Sequence, residues 1–425
     1  TFKLIVTDMS ESENQTQALE QMLQLNASTP FDLGQAPLLR IQLIKLAPEE
    51  HVLLFCLHHI ISDEWSSQLM IKELSQAYST RVKGLAPGWP ALGIQYADYA
   101  AWQRNRLQGE ILELQLTYWR EQLGEQHPVL ELPSDYPRPA QQSFAGGRLE
   151  FEIPSVLTRH LSTFCRQHGF TLFQVLLGGF QILLARYSGQ NDIRVGVPIA
   201  NRTLSEVEGV LGCFINTQVL NLNIADSATG LSLLQQVKQT AIGAQTHQDV
   251  PFEMLLEQLN VERDLSHSPL FQVMFNLQQA VIGDQELHLS GLTVSQLDSE
   301  ESTAKFDLTL DIIERDGCLS GSLEYSSDLF KPETALRIKD HYVQLLQGLV
   351  SEPLQSWLQL PMVSAAERLL LEGWEKKEAG YALEPNWLER FKQQVIAQPD
   401  NAVATYKQLT LSYQELDSLS DKVAA

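Results

Sequence analysis

Residues 171–189, TLFQVLLGGFQILLARYSG, form a helical length of chain with apolar side chains on nearly every face. Such a helix is stable only when buried all round, so it has to run through the inside of a core. Its surroundings are mixed. Before it, LTRHLSTFCRQHG reads as a helix. After it, DIRVGVPIA reads as a strand, LLQQVKQTAIGAQTHQ and FEMLLEQLN as helices, LFQVMFNLQ, FDLTLDIIE and LSGSLEYS as strands, and PETALRIKDHYVQLLQGLVS as a closing helix.

The opening third has the same mixture. TFKLIVTDMS reads as a strand and 15–24 as a helix, and PLLRIQLIKLAPEEHVLLFCLHH reads as two strands joined at Pro48-Glu49-Glu50. SSQLMIKELSQAYSTRV is a helix with Ser66 or Ser67 as its expected N-cap. Tyr96, Tyr99, Trp102, Tyr118 and Trp119 in the next helical stretch are expected to pack it onto the body. Pro128, Pro133, Pro137 and Pro139 then forbid continuous helix and mark a crossing between two lobes. The expected organisation is α/β: a first lobe over 1–135, a second over 136–352, a charged linker over 353–386, and the start of a further domain over 387–425. With 425 residues and 44% hydrophobic composition, the chain has ample material for these cores.

Asp and Glu number 52 against 30 Lys and Arg, a net charge of −22. That surface repels nucleic acid and anionic membrane, so neither is expected as a partner. Cys56, Cys165, Cys213 and Cys318 are scattered, without a C-x-x-C pair, and no signal peptide opens the chain. Reduced thiols in a cytoplasm are expected.

The chemistry concentrates in CLHHIISDEWS, where an apolar strand runs into His58, His59 and Asp63. Adjacent strand residues point to opposite faces, so one histidine should face the core and the other a cleft. His58 reads as a packed imidazole with a backbone partner, and His59 as the functional one. Asp63 reads as a structural support that fixes the loop. Trp65 is expected to pack beneath it. No further ligands at zinc-like spacing accompany the histidines, so no metal is expected. The chain has no G-x-S-x-G elbow and no phosphate-binding G-x-x-x-x-G-K-[ST] loop. An imidazole beside a carboxylate on a two-lobed frame suits acyl transfer.

HHIISDEWS resembles the H-H-x-x-x-D-G motif of condensation domains in nonribosomal peptide synthetases. YADYAAWQR with YWREQL, LGCFINTQVL (Gly212, Phe214, Asn216, Thr217), HQDVPFE, and RDLSHSPLFQVMFNLQ resemble the family's other blocks in the family's order. QPDNAV followed by LTLSYQEL resembles the opening of an adenylation domain. The resemblance implies two chloramphenicol-acetyltransferase-like αβ sandwich lobes in a V-shaped pseudo-dimer with a central tunnel. It implies amide formation between a donor thioester on an upstream peptidyl carrier protein and an aminoacyl acceptor on a downstream one, with an adenylation domain in cis. No cofactor is bound by the domain itself, because the substrates arrive on phosphopantetheine arms. His59 matches the catalytic histidine, with His58, Asp63, Glu64, Trp65 and Ser66 in the motif and Asn216 and Thr217 toward the tunnel.

Three departures stand out. Glu64 replaces the motif glycine, at a position where a left-handed backbone would be strained. Asn221 stands where the family often has an arginine, so Asp63 needs another donor. The family's opening blocks are missing before Thr1, as in a fragment. These keep two alternatives in view: an impaired condensation-like platform for carriers or a partner enzyme, and epimerisation of a carrier-bound residue.

Overall fold

The computed structural model describes residues 4–261, 264–279, 287–297, 303–375 and 386–424. The chain divides into two compact units, Thr1–Ser364 and Ala365–Ala425.

The larger unit opens with β1 (Ile5–Asp8), α1 (Gln15–Ser28), β2 (Leu39–Ala47) and β3 (Glu50–Leu57). These strands form a sheet in the order β1-β2-β3, parallel then antiparallel, with the expected tight turn between β2 and β3. β3 stops at Leu57. A 3₁₀ turn, His59–Ile61, follows it and leads into α2 (Glu64–Val82). The predicted second helical stretch is broken into α3 (Tyr96–Arg106) and α4 (Gly109–Leu123). The break falls at Gly109, whose positive φ of 56° is open to glycine and strained for other residues.

The second lobe contains β4 (Gly146–Ile153), α5 (Ser155–His168), α6 (Leu172–Ser188), β5 (Asp192–Ile199), β6 (Asn216–Asn223), α7 (Gly230–Thr246), α8 (Phe252–Gln258), β7 (Val273–Gln279), β8 (Leu308–Arg315), β9 (Cys318–Ser326) and α9 (Pro332–Ser351). Its strands make one mixed sheet in the order β4-β9-β8-β7-β5-β6. The all-apolar helix is α6. Thr171 and Gln174 form its N-terminal capping box, and Gly189 ends it in a left-handed cap. α6 packs against α5, α7, α9 and β5. Gly178 and Gly179 admit this closeness, since a Cβ at either would sit 2.5 Å from a methyl of Leu234 or Leu346.

Two boundaries differ from the sequence reading. Leu116, Trp119 and Leu123 of α4, within the span assigned to the first lobe, lie in the second lobe's core. The linker expected from 353 begins later, because Trp357 and Leu360 are buried in that same core. Arg186 also donates to the carbonyls of both residues, at 3.2 and 3.0 Å. Part of the expected linker is helical, α10 (Ala365–Glu375), while 376–385 lie outside the described residues.

The smaller unit continues with α11 (Trp387–Ala397), β10 (Ala402–Tyr406), β11 (Leu409–Ser412) and α12 (Tyr413–Ala424). β10 and β11 pair as an antiparallel hairpin, turning at Lys407 with φ 56°. No single helix among the described residues is long and apolar enough to cross a membrane.

β5 carries the chain toward the site and touches β7 at Gly196, paired with Met274. A Cβ at Gly196 would meet the buried Phe271 ring at 2.3 to 2.7 Å. Gly196→Ala is expected to destabilise the protein by about 1–3 kcal/mol through overpacking, read as a lowered urea midpoint.

Candidate active site

The histidines do not alternate on a strand. The strand ends before them, and His58 caps the 3₁₀ turn, its Nδ1 accepting from the Ile60 N–H at 3.1 Å. Its half-buried ring meets Phe31 edge-on. The backbone partner of His58 is thus supplied by a capped turn and not by a strand face. His59 is exposed. Its Nδ1 lies 3.7 Å from Cys213 Sγ, and its Nε2 has no hydrogen-bond partner among the described residues.

The loop is fixed from the opposite lobe. Asp63, rather than a serine, is the N-cap of α2, and its Oδ1 accepts from the Ser66 N–H at 2.8 Å. Oδ2 accepts from the Phe214 N–H at 2.9 Å. Arg202, in the loop after β5, places Nη2 3.1 Å from Oδ1. The expected shortage of a donor for Asp63 is thus met by Arg202, while Asn221 donates weakly to the Gln122 carbonyl at 3.4 Å. Arg202 also donates to Ser66 Oγ at 2.8 Å and to the carbonyls of Val207 and Val210 at 2.6 and 2.7 Å. Its guanidinium lies 4.0 Å from the Phe214 ring centroid.

Both side chains of the pair are buried, 1% exposed for Arg202 and 3% for Asp63. Burial by itself would raise the Asp63 carboxyl. The hydrogen bonds from Ser66 and Phe214 and the charge of Arg202 outweigh it and hold the carboxyl below its ordinary range. Ser66 is buried too, with Oγ donating to the Gly212 carbonyl and accepting from the Gly212 N–H. Trp65 does not pack beneath the loop. It is 40% exposed and reaches across to donate to the Glu208 carbonyl at 2.9 Å. Glu64 opens α2 with ordinary right-handed backbone, so glycine is not required there. Its exposed carboxylate accepts from Gln68 along the helix.

A condensation-domain family profile matches residues 1–372. The chain belongs to the condensation domain family. This condensation domain is 41% identical, over 99% of the chain, to a linear gramicidin synthase protein of Brevibacillus parabrevis. It is 39% identical, over 100% of the chain, to another linear gramicidin synthase protein of the same organism. It spans only 8% and 6% of those two proteins. Among solved structures it is similar to the X-domain in the complex of that domain with OxyB from teicoplanin biosynthesis. There the TM-score is 0.77 and the identity 26%, covering 85% of this chain and 80% of the other. It is also similar to a four-domain nonribosomal peptide synthetase bound to AMP and glycine, with TM-score 0.75, 25% identity, and coverage of 100% of this chain and 33% of that one. The fold is the two-lobed, chloramphenicol-acetyltransferase-like α/β architecture.

The condensation domain's remaining blocks act mainly as ties. Asn216 is buried, and its amide is fully engaged. Nδ2 donates to the Gln248 and Val250 carbonyls, and Oδ1 accepts from the Thr217 and Phe252 N–H groups. Thr217 pairs with Pro198 across β5 and β6. Asp249 faces Arg106 at 3.9 Å, and Trp119 donates to the His247 carbonyl. The structure thus brings His58, His59, Asp63, Glu64, Trp65 and Ser66 together with the 202–214 segment, and uses Asn216 to hold the end of that segment. Sequence reasoning missed Arg202 and Cys213. Arg202 had a signal: it is the one charged residue between 195 and 205.

Removing either partner of the buried pair strands the other charge. Asp63→Ala and Arg202→Ala are each expected to cost about 3–5 kcal/mol in urea unfolding, with the double variant costing less than the sum. The lowered Asp63 carboxyl adds stability above about pH 4, which is lost as pH falls through the lowered value. Stability of the wild type should therefore fall more steeply below pH 4 than that of Asp63→Asn, as read by urea midpoints across an acid series.

Proposed function

We propose that this condensation domain joins an acyl or peptidyl thioester on one carrier protein to the amine of an aminoacyl thioester on another. The observation that carries the reading is His59: exposed, with Nε2 unpartnered among the described residues, on a loop pinned across both lobes by Asp63 and Arg202. The amine nitrogen forms a bond to the thioester carbonyl carbon, the C–S bond breaks, and the phosphopantetheine thiol departs. His59 Nε2 faces that centre, as the reading requires of a tunnel between the lobes, and works on the attacking amine or on the tetrahedral oxygen. Holding two tethered reactants together supplies much of the rate.

The relatives' names support this reading, since gramicidin and tyrocidine synthases make up several of them. The carrier partners follow from the same reading. We further read 387–425 as the opening of an adenylation domain. Its support is QPDNAV and LTLSYQEL, the separate unit from Ala365, and coverage of the whole chain by the four-domain synthetase against 85% by the X-domain. Four free thiols fit a reducing compartment, the cytoplasm.

His59→Ala is expected to lower dipeptidyl product at least about a hundredfold when two loaded carriers are mixed with the protein, as measured by mass spectrometry of the downstream carrier. Undiminished product would remove the reading. Carrier binding without product in the wild type would favour a platform, and loss of Cα deuterium from one bound residue would favour epimerisation. Glu64→Gly is expected to leave acceptor turnover unchanged while lowering stability by about 1 kcal/mol through lost helix propensity and lost charge at the helix start.

A further inference from the structure

The amide-forming reading leaves two roles for His59 Nε2, proton acceptor or N–H donor. Which one it plays depends on the nitrogen at the other side of the ring. Among the described residues the polar side-chain atom facing Nδ1 is Cys213 Sγ, 3.7 Å away.

Residue 213 is held in place from both sides. Gly212 exchanges two hydrogen bonds with Ser66 Oγ, and a Cβ on Gly212 would meet the Tyr96 ring at 2.1 to 2.8 Å. The Cys213 carbonyl accepts from Tyr96 Oη at 2.8 Å, and the next N–H, of Phe214, donates to Asp63. The same contacts that fix the motif loop therefore fix Cys213 against it. Burial first, then the nearby charges of Asp63 and Glu253, raise the Cys213 thiol, which keeps its proton at neutral pH. Thiol sulfur is a poor acceptor, whereas an imidazole nitrogen accepts well. The stronger of the two arrangements is S–H to Nδ1.

We propose that Cys213 is a positioning residue that donates its S–H to His59 Nδ1 and holds the neutral ring as the Nε2–H tautomer. His59 in that state donates from Nε2 and does not take the amine's proton. Resting on the amide-forming reading, the donor serves the carbonyl oxygen as it becomes negative during attack. When the intermediate collapses, the C–S bond breaks and the proton passes from the substituted nitrogen to the departing thiolate. The thioester and amine become amide and thiol, with no net proton taken by the protein.

Nitrogen-15 spectra of the full chain, labelled in histidine, test the assignment directly. His59 is expected to show a protonated Nε2 and an unprotonated, accepting Nδ1. Cys213→Ser should keep that tautomer and a rate within about threefold of wild type, because a hydroxyl donates in the same direction. Cys213→Ala should lower kcat roughly tenfold with KM for the acceptor carrier and the urea midpoint little changed. A protonated Nδ1 in the wild type overturns the proposal, as does a Cys213→Ala variant with wild-type kcat. A protein with Nε2–H that still makes product after His59→Ala would sink the amide-forming role of His59 while the tautomer assignment stands.

Discussion

A buried charge pair, Asp63 with Arg202, sets the geometry on which the rest of the site depends. Taking two ions out of water is costly, and their attraction repays it only when the remaining hydrogen-bonding capacity is used. Here it largely is: the carboxylate also accepts two backbone N–H groups, and the guanidinium reaches Ser66 and two carbonyls. Arg202 Nε is the exception, buried without a partner among the described residues. Such a pair contributes more to position than to net stability. It ties the start of α2, in the first lobe, to residues 202–214, in the second, and His59 lies between these anchors.

The apolar framework delivers the loops to that meeting. α6 at the centre of the second lobe supports β5, which runs out toward Arg202, and a small cluster of Tyr99, Val207, Val210 and Phe214 backs the returning segment. Tyr99 belongs to α3 and the other three to the 205–214 region, so this cluster repeats in apolar contacts the link that Asp63 and Arg202 make in charge. Asn216 then locks the start of β6 to the loop before α8. The ionic and apolar contacts thus join the two lobes, and the amide contacts of Asn216 fix the segment that follows 202–214 within its own lobe.

Much of this could be read along the chain. Residues 171–189 demanded burial on all sides, and α6 has it. FDLTLDIIE, read as a strand, is β8, whose Leu308, Leu310 and Ile312 face the core. His58 and His59 were singled out on a strand geometry that the structure does not have. A two-residue difference in where β3 ends, Leu57 rather than His59, replaces strand alternation with a capped turn, and the capping bond that decides it is between His58 and Ile60. The boundary at 353 went wrong for a similar reason, since the burial of Trp357 and Leu360 depends on a core built by distant residues.

Local pattern by itself determined the α/β composition, the buried helix and the motif blocks, because each rests on residues within a few positions of one another. Only the tertiary structure decided which cation meets Asp63 and which atom meets His59 Nδ1. Arg202 and Cys213 lie 139 and 154 residues away in sequence. Contacts at that separation come from how two lobes pack, and no periodicity in a single chain records them.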